Sequence, residues 1–372
     1  MMKKLVSLLM ACVLTLTLLP AALAETTVDG TENRGIKLKE AGLNEVEDGV
    51  SPTTGLTLSD LETPDGFAGL AVTGRYMPML VQIDNSEGGV NDIAPWGASY
   101  ADIVYETPLH SKGFTRISFL FSDLIPDSVG PVRSARVGHC WLREEWDAGF
   151  LYYGGQEREG SNIKEVFKET GADKKGVLFS GTVGSNKPWK QYYSHREGCA
   201  SPHDKDANVA AMYELIPADF TPPNHAFKFT DDLPQDGDVA EEISINWNAI
   251  YYGSNISYDA DSNCYYRYMR YPDDELIPYE DRDTQEQLAF ANVIIQYTTV
   301  TYNGSSAAPI TTHVGEGNAD FFMGGRHIAG YWKRPDMASR TVFYGPDGNE
   351  ISLQRGKTLI SIMPTSNIVT YE

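Results

Sequence analysis

The sequence predicts an α+β chain in which a mixed α/β N-terminal domain is followed by a mostly antiparallel β domain. Three observations predict it. Short apolar strand patterns fill residues 78–121, apolar residues at three- and four-residue steps follow up to about residue 215, and β-branched or aromatic runs separated by turns take over from Ile243. Pro78-Met79-Leu80-Val81-Gln82-Ile83 is a strand pattern closed by Asp84-Asn85, and Ala101–Glu106 and Arg116–Phe121 supply two more. Trp141–Asp147, Asn162–Thr170 and Ala207–Leu215 have helical spacing. Ile243–Trp247, Tyr265–Met269, Val293–Tyr297 and Thr358–Ile362 are strand patterns, bounded by Asp-Ala-Asp, Asn-Gly and Asp-Gly turns.

Four segments follow. Residues 1–24 have the three parts of a secretory signal: Lys3 and Lys4, an apolar run from Leu5 to Leu19, and Ala22-Leu23-Ala24 before an expected cleavage at Glu25. Leu9-Met10-Ala11-Cys12 resembles a lipobox and ranks second, because the apolar run continues well past Cys12. Residues 25–58 are polar and without period, and so are expected to be a flexible acidic linker. An α/β domain over 59–235 and a β-rich domain over 236–372 complete the chain, with the break in the Pro- and Asp-rich stretch ending at Asp238.

The composition limits the partners. Removing Lys3 and Lys4 leaves 28 basic side chains against 51 acidic ones, a net charge of −23 that repels nucleic acid and anionic lipid. Contact with a membrane is then expected only through an anchor, if Cys12 is lipidated. After processing three cysteines remain, Cys140, Cys199 and Cys264, which excludes a full disulfide framework and leaves open one Cys140–Cys199 bridge or free thiols. The seven histidines show no zinc spacing, and no nucleophile elbow, Walker loop or dinucleotide fingerprint is present. No cofactor is expected.

Against this acidic background, Gly130-Pro131-Val132-Arg133-Ser134-Ala135-Arg136 stands out as an anion-binding corner. Gly-Pro sets a turn, and Ser134 supplies a hydroxyl between two guanidinium groups, whose planar forks suit phosphate or carboxylate. Asp84 and Asn85 end a strand, where α/β folds present ligand-facing groups. Asp84, Glu106, Arg116, Arg133, Arg136 and His203 are therefore grouped as the lining of a single cleft. Within it His203 is a candidate general base, while Asp84 and Glu106 are weak candidates for a divalent cation. The competing reading has Asp84-Asn85 as a turn cap and Glu106 paired with Arg116. Tyr265, Tyr266, Tyr268, Tyr331 and Trp332, with Arg267 and Lys333, form either a sugar-stacking platform or one face of a sheet core.

Ser51–Leu56, Val81–Asn85, Ala101–Glu106, Phe114-Thr115-Arg116 and Gly130–Arg136, then Asn292-Val293, His313–Gly317, Gly330–Lys333 and Leu353–Thr358, follow one another along the chain. On these residues the chain resembles the YerB-like family of bacterial envelope proteins and lipoproteins, catalogued as domain of unknown function 3048. It departs from the family pattern at Tyr153-Gly154-Gly155-Gln156 and at Ser201-Pro202-His203-Asp204. The resemblance implies an exported envelope location, covers most of the chain from about residue 51, and supplies no reaction. Two functions are carried forward. One is non-enzymatic binding of an anionic cell-wall component or an envelope protein through the arginine corner. The other, by analogy to the wall-polymer ligases of the LytR-CpsA-Psr type, is a metal-dependent enzyme acting on phosphate-bearing, lipid-linked wall intermediates.

Overall fold

The computed structural model describes residues 25–85, 94–247, 253–270 and 275–372. The signal and lipobox readings lie outside the described residues. No helix among those described is long and apolar enough to cross a membrane.

An 11-stranded mixed sheet organises the molecule. Its strands run in the order Asp238–Val239, Arg326–Arg334, Gly315–Met323, Asn292–Thr298, Thr358–Pro364, Ile103–Pro108, Thr115–Phe121, Met79–Ile83, Gly149–Tyr152 and Leu178–Ser180, and Val342–Tyr344 pairs with Arg326–Arg334. The central strands are buried on both faces, so their patterns are near-continuous apolar runs. Period-two alternation then assigns each face its own core. Val81, Ile83, Val104, Ile117, Phe119 and Leu359 point to one side, where Ile243, Ile245, Ile256, Tyr265 and Met269 of a second, seven-stranded antiparallel sheet pack against them. Leu80, Ile103, Tyr105, Leu120 and Ile360 point to the other, beneath the helices Val137–Trp146 and Ile163–Thr170.

The strand and helix patterns named from the sequence all appear, but their partition differs from the one expected. Thr358–Pro364 pairs in parallel with Ile103–Pro108 on one edge and with Asn292–Thr298 on the other. Strands from both sides of the expected break at residue 235 thus share one sheet rather than forming an α/β unit followed by a separate β unit. The physical reason is that a buried strand must pair its backbone N–H and C=O groups on both edges, and hydrophobic period, which reports only the faces, says nothing about which strands do so.

Residues 25–58, expected to be a flexible acidic linker, are laid along the folded body. Thr26–Val28 pairs with Ile368–Tyr371. Arg34 donates to the carbonyls of Ala319 and Gly330 and pairs with buried Asp320. Ser51, Thr53 and Thr54 are buried, Thr53 donating to Asp102 and Thr54 to Asp123. Composition suggested a tether because this segment attaches by hydrogen bonds and ion pairs more than by apolar burial, and such attachment has no periodic signature. The thiols of Cys140, Cys199 and Cys264 are all free.

Candidate functional site

The corner is built on the end of the Met79–Ile83 strand. Ile83 bridges Val132, Arg133 N–H donates to Gln82 O, and Asp84 N–H donates to Pro131 O, so the Gly-Pro-Val-Arg run lies alongside residues 82–84. Gly130 has no alternative in this turn: a Cβ there would lie 2.3 Å from the Trp96 ring and 2.5 Å from the Lys205 carbonyl oxygen. The hairpin Tyr193–His195/Lys205–Ala207 is tied to the same run, Val132 N–H donating to Lys205 O and Val129 bridging Ala207. That attachment brings His203, in the hairpin's loop, to Asp84.

Asp84 is the hub. Its side chain is fully buried and accepts from Arg116 Nη1 at 3.1 Å through Oδ1. Through Oδ2 it meets Arg133 Nε at 3.2 Å and His203 Nδ1 at 2.5 Å. Arg116 is buried, whereas the Arg133 and His203 side chains keep 25% and 20% of their surface. Arg136 sits at the start of the Val137–Trp146 helix and donates to the carbonyls of Ala135 and Ala307. It forms no ion pair among the described residues. Burial, with Arg116 and Arg133 close by, draws the Arg136 guanidinium down to about 10, so it still carries its charge at neutral pH. Among the described residues, three guanidinium groups therefore converge where one carboxylate answers two of them.

His139, on the first turn of that helix, was not picked out from the sequence. Its Nδ1 accepts from Arg136 N–H at 3.0 Å, which leaves the proton on Nε2, 3.1 Å from Thr107 Oγ1. Burial, then the charges of Arg116 and Arg136, hold His139 well below the ordinary imidazole range. A neutral His139 adds no further positive charge to the cluster and fixes Arg136 from below.

The other expected members separate. In the pairing of Ile103–Pro108 with Thr115–Phe121, Thr107 lies opposite Arg116 and Glu106 opposite Ile117. Alternation therefore turns Arg116 toward the helices and Glu106 toward the second sheet. Glu106 does not pair with Arg116 there. It accepts from Thr115 Oγ1 at 2.7 Å and Asn85 Nδ2 at 3.2 Å, and it pairs with fully buried Arg267 at 2.9 Å. Arg267 lies 4.4 Å from the Tyr279 ring centroid, and Tyr279 Oη donates to Asn85 Oδ1. Asn85 and Glu106 thus belong to a buried network joining the two sheets, and the carboxylate pair considered for a divalent cation is divided between opposite faces. Among the described residues no group of three metal-ligating side chains forms. Ser134 is at the corner, but its hydroxyl donates to the Tyr153 carbonyl at 3.1 Å, so it is not a ready donor to an anion.

Arg267 was legible only as part of an aromatic platform. That platform does not form: Tyr265 and Trp332 are core residues, and Arg267 shares the buried face of its strand with Tyr265 and Met269. Period two in Tyr265-x-Arg267-x-Met269 was the available signal. Two open clefts, of about 1020 and 790 Å³, follow the N-terminal segment rather than the corner. Neither gathers a comparable excess of cations.

Two halves of one family model match this chain. The description "Protein of unknown function (DUF3048)" applies to its N-terminal domain at residues 67–212 and to its C-terminal domain at residues 243–360. The chain belongs to the DUF3048 family. The N-terminal match contains the whole corner, from Asp84 to His203. Among curated proteins, the chain is 27% identical over 271 residues to "Putative lipoprotein YerB" of Bacillus subtilis (strain 168), spanning 72% of this chain and 76% of that one. The crystal structure of YerB from Bacillus subtilis superposes with a TM-score of 0.65 at 22% identity, covering 86% of this chain and 99% of the other. At that identity the likeness concerns the fold.

Proposed function

We propose that the protein is exported to the cell envelope and binds an anionic cell-wall component, or the anionic surface of an envelope partner, through Arg133 and Arg136. The signal-like N-terminus and the lipoprotein name of a relative support the location. One observation carries the binding: among the described residues, guanidinium groups cluster at a corner where a single carboxylate pairs with two of them, within a chain of net charge −21. A bound phosphate or carboxylate would relieve the mutual repulsion of Arg116, Arg133 and Arg136 and would accept charge-assisted hydrogen bonds.

Isothermal titration of the chain from Glu25 onward, with inorganic pyrophosphate and with an anionic wall polysaccharide, tests this. Arg133→Ala and Arg136→Ala should each weaken binding about 10-fold, near the ~1.5–3 kcal/mol typical of a hydrogen bond to a charged group, and binding should fall with added salt. Absence of binding at low salt, or variants that bind like the parent, would refute the proposal.

A further inference from the structure

The seven histidines fall into different settings, and one differs from the rest. His110 and His139 each have both ring nitrogens engaged, His225 Nδ1 contacts the Glu145 carbonyl, His327 is held by Asp320, and His313 is buried. His195 meets Asp204 at 2.6 Å but is 68% exposed and shares that carboxylate with Lys205. His203 joins a fully buried carboxylate while its ring reaches the surface beside Arg133, itself 25% exposed; His327 shares buried Asp320 with Arg34, but that guanidinium keeps only 6% of its surface. Asp84 also faces Arg116 and Arg133, so it is ionised and only accepts. The proton between the two groups then lies on His203 Nδ1, and the lone pair of the neutral ring lies on Nε2. Nε2 has no hydrogen-bond partner among the described residues. Arg133 and His203 meet the same Asp84 oxygen, which places imidazole and guanidinium within reach of one phosphate.

We propose that His203 is the catalytic acid–base of a phosphoester-cleaving or phosphoester-transferring reaction at this corner, with Asp84 as its positioning residue. This rests on the anion-binding reading above. A hydroxyl group, from water or an alcohol, attacks phosphorus as His203 Nε2 takes its proton. The new P–O bond forms, the bond to the leaving oxygen breaks with its electron pair on that oxygen, and the imidazolium returns the proton there. The ring leaves the cycle neutral, and no oxidant or reductant is consumed. Asp84 keeps Nδ1–H in place and stabilises the imidazolium, while Arg133 and Arg136 offset charge on the non-bridging oxygens.

The test uses the chain from Glu25 onward with bis(4-nitrophenyl) phosphate and 4-nitrophenyl phosphate in the presence of EDTA, alongside calorimetric binding of inorganic phosphate. The parent should turn over at least one ester. His203→Ala should lower kcat by about 10²–10⁴-fold, with KM and phosphate affinity changed less than about threefold. Added imidazole should restore part of the rate, which a merely structural role would not allow. His203→Gln, nearer in size, should behave as His203→Ala and guards against a folding defect in the first variant. If the parent binds phosphate but cleaves neither ester, or if both His203 variants keep the parent rate, the acid–base role is overturned and anion binding stands. Absence of phosphate binding in the parent overturns the underlying reading as well.

Discussion

At the scale of single residues, charge pairs do two kinds of work in this molecule. Glu106–Arg267 is fully buried and far from solvent, and it joins the central sheet to the second sheet. Removing one partner leaves an uncompensated buried charge, so Arg267→Met should destabilise by about 3–5 kcal/mol. Urea denaturation should show this as a lower midpoint, while anion binding per folded molecule stays unchanged because Arg267 lies on the opposite face from Arg133. Asp84 instead pairs with Arg133 and His203, which keep a path to solvent, as well as with buried Arg116. The residue types at the candidate site were legible in the sequence, since Asp84, Arg116, Arg133, Arg136 and His203 were all singled out there. Their grouping with Glu106 and Asn85 was not, because strand alternation sends adjacent residues such as Asp84 and Asn85 to opposite faces.

At the scale of elements, the corner depends on close backbone approach. Gly130 exchanges both backbone hydrogen bonds with Trp96 and has no room for a side chain against Trp96 and Lys205. Gly130→Ala should therefore cost about 1–3 kcal/mol through overpacking and should weaken anion binding along with it. Thermal melting and calorimetry on the same variant check both effects. Arg133→Ala, which needs no backbone shift, should show the same roughly 10-fold weaker binding with little change in melting temperature. The two variants thus separate the turn that builds the site from the side chain that uses it. The hairpin carrying His203 illustrates the same dependence. Its register against residues 129–132 is set by backbone hydrogen bonds, which no side-chain pattern encodes.

For the whole molecule, burial of neutral histidines fixes how stability responds to acid. Burial holds His139 and His225 below the ordinary 6.5 and draws His313 down to about 3. The unfolded chain takes up these protons at higher pH than the folded one. Their contribution is therefore complete above about pH 6.5 and declines as pH falls toward the folded values, by about 1.4 kcal/mol per pH unit for each group. Asp102 and Asp123 act in the opposite direction. Burial raises both above 3.8, so the folded state holds protons that the unfolded state releases, and their contribution falls as pH rises through the folded values. Unfolding midpoints from pH 4.5 to 7.5 should show His313→Gln losing less stability on acidification than the parent. An unchanged slope would show that His313 is not buried neutral. The sequence by itself determined the strand and helix patterns, the acidic surface and the residue types at the corner, since hydrophobic period, charge and turn chemistry are local properties. Only the tertiary structure decided that strands from both halves share one sheet, that residues 25–58 are pinned to the body, and that Asp84 meets His203 while Glu106 meets Arg267. Those outcomes rest on which strand edges pair and which face each side chain takes, and neither is fixed until the chain closes on itself.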